Sequence, residues 1–426
     1  MTQVNPECSR QSMFERLLFY LSFGHSSQKR FFWKRHILYA DNVIDLRAIA
    51  PRERALEDLY DRIRLAPEGL SRSELASSAS MSPSGVTFLV RRLLREGRVV
   101  EVDPRAKGRG SGSGRPALRL RPTPLSGWVA GIDFGHKHIS VALADGSGAE
   151  IESAMTLLNV DLNAQEAMNA ACELLDRLCK KNEVGDLVTI VAGIPGPVDA
   201  QRGVVRSPTI LSGWVGLDPA AELQRRLGHS VLVENDAVLG AIGEHRRGVA
   251  SGHDDVLYVK ISDGIGAALI LGGRIYKGSA GLAGEIGHNR LENNAELCRC
   301  GSRGCLEAVV SVDSVVAQLA HSHEGVTIDR IDSLPFADEI TDRIFSDAGR
   351  TVGQALSSLC NLLNPSLLVV GGTLGTANPA LLTGIKLGID QYAQPAAAQG
   401  MTVAAAKHGS RAELVGALYL AARATF

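Results

Sequence analysis

His288 is followed 10, 12 and 17 residues later by Cys298, Cys300 and Cys305. One neutral imidazole and three thiolates form a donor set that tetrahedral Zn2+ prefers. Four protein ligands leave no position open for a substrate, so the expected role is structural. Gly301 and Gly304 let the intervening chain turn tightly around an ion, which would hold a loop whose own packing is weak. The competing reading is a cysteine-rich turn without metal. Of seven cysteines, three fall in this cluster, a pattern that favours a reducing compartment over a disulfide framework.

A second set of side chains suits nucleic acid. Ser82-Pro83 pairs an N-cap with a proline at the first helical position. The helix that follows runs to about Glu96, buries Val86, Leu89, Val90 and Leu93, and is stopped by Gly97. Ser84, Thr87, Arg91 and Arg95 share its opposite face. The leading residues can reach base edges in a major groove, whereas Arg91, Arg92 and Arg95 suit phosphates. Upstream, Leu56, Leu59 and Ile63 predict a helix over 54–65, and Ser71 with Glu74 makes a capping box that opens a short helix through Leu75 and Ala76. Downstream, a strand over 98–103, a glycine-rich loop carrying Arg105, Lys107, Arg109 and Arg115, and a strand over 117–122 complete a winged helix-turn-helix order. Such a wing can follow a backbone or a minor groove. The plainer alternative is a small helical domain whose basic face is solvated and meets proteins.

Charge supports the division. Residues 1–125 hold 22 Lys and Arg against 13 Asp and Glu, the remainder 23 against 33, and the formal net charge is only −1. A basic amino-terminal part on an acidic body fits one module that faces nucleic acid and one that does not. Length 426, 45% hydrophobic and 21% charged residues describe an ordinary globular chain of two or three domains. No apolar run reaches the 18 residues of a membrane-spanning helix, and Glu15 and Arg16 interrupt the apolar stretch over 14–23, so neither membrane nor signal peptide is expected and the cytoplasm is. The expected domains are an amino-terminal extension (1–50), the winged helix (51–122) and a larger body (123–426). Within the extension, KRFFWKRH (29–36) mixes bases and aromatics, but a poorly ordered tail explains it more simply.

The body alternates strands with helices. WVAGIDFG, HISVALAD and EIESAMTLL precede a helix over 164–181, followed by VTIVAGIPG, SVLVEND and a helix from Asp236. DVLYVKIS and GIGAALILGG follow, then a long helix over 341–363, the strand SLLVVGG and a closing helix over 411–422. This is α/β organisation, with two lobes the natural division of about 300 residues.

DFGHKHISVALAD, GIPGPVD, SPTILSGW, ENDA, AGEIGH and CRCGSRGCLE together resemble the motifs of the ROK (repressor, open reading frame, kinase) family over 128–426, and the winged helix ahead of them resembles its regulator branch. The resemblance implies a two-lobed, actin- and hexokinase-like (ribonuclease H-like) ATPase fold with a sugar site between the lobes. It implies sugar-hydroxyl contacts from Asn235, Asp236, Glu285, His288 and Glu307, with His288 binding zinc through its other ring nitrogen and Asp236 in the position of a kinase general base. Asp236 also opens a helix and could be its N-cap; Glu285 and Glu307 could instead be solvated or support the zinc ligands.

The phosphate loops depart from the family's kinases. Asp133, Gly135 and Lys137 remain of an Asp-x-Gly-Gly-Thr-Lys-like turn, but His136 replaces its second glycine and the threonine is missing. Ser262-Asp263-Gly264-Ile265-Gly266 stands where the kinases carry Gly-Thr-Gly-Ile-Gly. Asp263 beside a triphosphate costs on the order of 4 kcal/mol per unit charge at about 4 Å and an effective dielectric near 20, unless a cation intervenes. The expectation is a sugar-responsive DNA-binding regulator, a repressor of carbohydrate genes. It would be a homodimer on a duplex operator, with a sugar or sugar-phosphate effector, structural zinc and no use of ATP. The runner-up is a sugar kinase that also binds DNA, and a third possibility is a scaffold for another protein.

Overall fold

The computed structural model describes residues 43–44, 51–64, 66, 69–102, 118–123, 127–185, 187–198, 205, 209–327 and 338–424. Segment 29–36 and the loop residues Arg105, Lys107, Arg109 and Arg115 lie outside them.

After a two-residue strand, β1 (Val43–Ile44), come three helices, Pro51–Arg64, Arg72–Ser78 and Pro83–Arg95, and an antiparallel pair, β2 (Val99–Val102) and β3 (Arg119–Pro122). The capping box forms: the Glu74 amide donates to Ser71 Oγ at 3.2 Å and the Ser71 amide to the Glu74 carboxylate at 2.7 Å. Ser82 accepts from the Gly85 amide at 3.2 Å with Pro83 behind it, and Gly97, at φ +69°, ends the helix. Leu59, Ile63, Leu75, Val86, Val90 and Leu93 close one small core, in which Val99 and Leu120 bring in the strand pair.

Two sheets build the body. The first joins β4 (Trp128–Phe134), β5 (His138–Asp145), β6 (Glu150–Leu157), β7 (Leu187–Ile194) and β8 (Val231–Asn235) in the order β6-β5-β4-β7-β8. In it β4, β5 and β6 form an antiparallel meander, and β7 and β8 run parallel to β4. The second joins β9 (Val256–Ile261), β10 (Ile265–Leu271), β11 (Arg274–Tyr276), β12 (Leu367–Gly371) and β13 (Thr402–Ala405) in the order β11-β10-β9-β12-β13, with β1 on the β11 edge. Its meander and its parallel pairs repeat the first. The chain therefore contains one topology twice, although no short sequence repeat announces it. Central strands β4, β7, β9 and β12 read as nearly unbroken apolar runs because they form the parallel pairs at the centre of each mixed sheet, where helices pack on the sheet.

Helix Asp236–Arg247 packs on β9 and β10 and helix Ala412–Ala424 on β4 and β7, and the two helices pack on each other. Their approach depends on Gly416, where a Cβ would lie 1.9 Å from the Leu239 carbonyl oxygen. This pair ties the lobes together behind the carboxyl ends of β4 and β9, which carry the Asp133–His138 and Ser262–Gly266 turns.

Candidate ligand cleft and metal cluster

The strand ends and the turns beyond them surround an open cleft. Asn235, Asp236, Glu285, His288 and Glu307 all line it, as do His136 and Asp263. The sequence separates these residues by more than 170 positions, and the double fold brings them to one place.

Asp236 is the first residue of its helix, and the N-cap is Asn235, whose Oδ1 accepts from the Val238 amide at 3.1 Å. The N-cap reading of Asp236 is thus corrected by one residue, because the preceding β-region backbone belongs to Asn235. Asn235 Nδ2 also donates to the Gly196 carbonyl at 3.2 Å, which fixes the amide facing the cleft. Asp236 is buried; its Oδ1 accepts from the Ala237 amide at 2.7 Å and its Oδ2 from Lys260 Nζ at 2.8 Å.

Lys260 is the residue that sequence reasoning missed. It is the penultimate residue of β9, lines the cleft, and lies 3.6 Å from Glu413 on the closing helix. Burial would lower its pKa, but the carboxylates of Asp236, Glu413 and Asp133 outweigh that and raise it. Burial pushes Glu413 up to about 7 even with Lys260 beside it, and Tyr258 donates its hydroxyl to Glu413 at 3.2 Å. Burial likewise pushes Glu285 up to about 7, helped by the charges of Asp236 and Glu307. Asp133 pairs with His138 at 3.1 Å; although burial opposes both charges, the contact lowers the Asp133 pKa and raises that of His138. A charged residue inside the apolar run VLYVKI demands a buried partner, and that was the available signal.

The Asp133–His138 and Ser262–Gly266 turns meet across the cleft. His136 Nδ1 bonds Asp161 at 2.7 Å, and a Cβ on Gly264 would lie 2.8 Å from His136 Nε2, so a side chain there would have to displace the imidazole. Lys137 Nζ lies 2.8 Å from Asp313 and 3.1 Å from Asp263. The like-charge penalty assigned to Asp263 is therefore reduced by a cation that the sequence could not place. Arg299, between two of the cysteines, lies 3.2 Å from Asp161, 3.0 Å from Glu307 and 2.6 Å from the Asp263 carbonyl. Glu307 also accepts from the Ile265 amide at 3.0 Å, so each of its oxygens already has one partner. Glu234, at the end of β8, pairs with buried Lys277 beyond β11.

His288, Cys298, Cys300 and Cys305 could hold a metal ion: their ligand atoms all lie within 4.8 Å of one another. Cys298 Sγ is 3.6 Å from His288 Nδ1, and Cys300 Sγ is 3.7 Å from Cys305 Sγ. His288 therefore turns Nδ1 to the sulfurs, while Nε2 lies on the Glu285 side at 3.9 Å.

On the helix Pro83–Arg95, Ser84, Arg91 and Arg95 are exposed. Thr87 is half-buried and donates its hydroxyl to the Pro83 carbonyl at 2.8 Å, and Arg92 pairs with Glu96 at 2.6 Å. Phe88, absent from the sequence reading, is 60% exposed on the same face, where its position four after Ser84 and three before Arg91 could have suggested it.

The family model for the ROK family matches residues 129–424. The xylose repressor of Bacillus subtilis (strain 168) is 27% identical over 321 residues, covering 74% of this chain and 82% of the repressor. The crystal structure of a ROK family transcriptional regulator, a homologue of the E. coli MLC protein, matches with a TM-score of 0.64 at 22% identity over 88% of this chain and 97% of its own, a likeness of fold. A ROK family glucokinase from Streptomyces griseus, in complex with glucose and AMPPNP, matches with a TM-score of 0.61 at 27% identity over 70% of this chain and all of its own (100%).

Proposed function

We propose, for a chain that belongs to the ROK family, that it is a sugar-responsive transcriptional repressor whose cleft senses a sugar without phosphorylating it. The observation that carries this reading is the convergence of Asn235, Asp236, Glu285, His288 and Glu307 on one cleft. Carboxylates, an amide and an imidazole match the alternating donors and acceptors of a sugar's hydroxyl groups. The similarity to the xylose repressor supports the regulatory half of the reading.

Phosphoryl transfer is disfavoured by three features. Asp236, where a general base would stand, already accepts at both oxygens, from the Ala237 amide and from Lys260. His136 fills the space a glycine would leave for phosphate, and Asp263 faces the same space. The kinase reading retains one argument, the presence of Asp236 itself.

The amino-terminal helices and strand pair are assigned as a winged helix-turn-helix that binds duplex DNA. Ser84, Thr87 and Phe88 would meet base edges, the exposed phenyl suiting a thymine methyl. Arg91, Arg92 and Arg95, with Arg105, Lys107, Arg109 and Arg115 of the loop, would meet phosphates. Two protomers on a two-fold operator are the natural arrangement, and the cytoplasm the natural compartment.

The metal is assigned as structural Zn2+. Zn–S bonds of about 2.3 Å in a tetrahedron set sulfurs about 3.8 Å apart, close to the 3.7 Å between Cys300 and Cys305. Zinc would fix the loop that carries Arg299 and, through it, the contacts to Asp161 and Glu307. Sugar binding can control DNA only if the sugar prefers one arrangement of lobes or protomers, and the same difference must then favour or disfavour DNA.

The test is binding of duplexes selected from a random library by the full-length protein, with and without a sugar panel. A change of about tenfold or more in Kd with one sugar is expected; affinity indifferent to every sugar refutes the reading. Incubation with ATP-Mg and the same panel should give no turnover, and rates of about 1–1,000 s-1, ordinary for enzymes, would refute the denial of catalysis.

A further inference from the structure

The charges around the cleft are unequally matched. Among the described residues, the carboxylates of Asp236, Asp263 and Glu307 line it, with the partly protonated Glu285 beside them, whereas Lys260 is the only lysine or arginine in the lining. Lys260 is held between Asp236 and Glu413 at 2.8 and 3.6 Å. The cations beside the rim are committed as well: Lys137 to Asp313 and Asp263, Arg299 to Asp161 and Glu307. A divalent ion held by three thiolates and a neutral imidazole would leave its cluster with one net negative charge, so a bound metal would not reverse the field. An anionic group entering the cleft meets fixed carboxylates whose counter-charges are already engaged. A hydroxyl meets acceptors.

From this imbalance we propose that the effector is an uncharged sugar, and that the cleft discriminates against phosphate esters and acids of the same sugar. The proposal rests on the sugar-sensing reading above and narrows it to one chemical class. Exclusion is a matter of unpaired charge: a phosphate ester carries one to two negative charges near neutrality, and none of the lysine or arginine side chains named above is left without a carboxylate. Lys260 sharpens the discrimination because its charge is spent inside the protein, between Asp236 and Glu413. Asp263 supplies the repulsion nearest the altered turn and, being on a loop, can be neutralised with little disturbance of the core.

Isothermal titration of the full-length protein with xylose, glucose and N-acetylglucosamine, each against its phosphate ester, and with glucose against gluconate, tests the proposal. The expected result is at least one neutral sugar bound 100-fold or more tighter than its charged derivative. In Asp263→Asn that ratio should shrink about tenfold. A phosphate ester or acid that binds as tightly as its parent overturns the proposal and leaves the sugar-sensing reading standing. Binding of no carbohydrate of either kind overturns both. Discrimination that Asp263→Asn leaves unchanged overturns the electrostatic cause, because steric exclusion would not respond to loss of one charge.

Discussion

Replacing Lys260 by methionine keeps the length and most of the volume of the side chain and removes its charge. The ammonium lies 2.8 Å from Asp236 and 3.6 Å from Glu413, and the two paired side chains are about one-tenth exposed. At an effective dielectric near 20 the first separation corresponds to a gross attraction of about 6 kcal/mol, and the second to about 5 kcal/mol only in the fraction of molecules in which Glu413 is ionised. Desolvation of the ions offsets several kcal/mol of this, yet removal of one partner strands the other carboxylates in the interior, so a net loss of about 3–5 kcal/mol is expected. At about 2–4 °C per kcal/mol for a domain of this class, Tm should fall by about 6–20 °C. The assay is thermal and urea unfolding at pH 7 of the parent, Lys260→Met, Asp236→Asn and the double variant. The double variant should recover most of the loss, since removing both partners of a buried pair is far milder than removing one. A Lys260→Met protein within about 0.5 kcal/mol of its parent, or strictly additive losses in the double variant, would refute the assignment of Lys260 as a buried counter-charge.

Three further outcomes follow from other parts of the molecule. The folded protein retains the Glu413 proton up to about pH 7, against a usual value of 4.5. Its contribution is therefore fully present below about pH 4.5 and fades as pH rises to 7. Glu413→Gln should gain on the parent in urea midpoint between pH 5 and pH 8, and a pH-independent difference would exclude Glu413 as the titrating group. Cys298→Ser should lower metal content, read by elemental analysis, from about one equivalent to below a tenth, and should weaken sugar binding by loosening Arg299. Arg91→Ala should weaken duplex binding and reduce the slope of log K against log salt by about one, and an unaltered slope would remove Arg91 from the phosphate contacts.

Much of the fold was legible along the chain. The capping box at Ser71, the Ser82-Pro83 start and the glycine stop at 97 are local devices, and the helices they bound lie where spacing put them. The strand His138–Asp145 and the helix Ala164–Lys181 coincide with their sequence boundaries. The short strands β11 and β13 and the helix Pro379–Tyr392 escaped notice. Three or four residues at a sheet edge leave too little alternation to detect, and the helix shows only a weak apolar stripe because glycines at 384 and 388 let it approach its neighbour closely.

The sequence alone displayed the donor set at 288–305 and the face of the helix after Pro83, and through its family resemblance it named five of the residues that line the cleft. In the first two cases a few covalent bonds and one helical or turn geometry fix the relation between neighbours. Only the tertiary structure decided that Lys260 answers Asp236 and Glu413, or that Lys137 reaches Asp313 from 176 residues away. Opposite charges attract without regard to sequence distance, so the chain offers each lysine many acceptable partners. The meeting of two duplicated sheets at their carboxyl ends selects one.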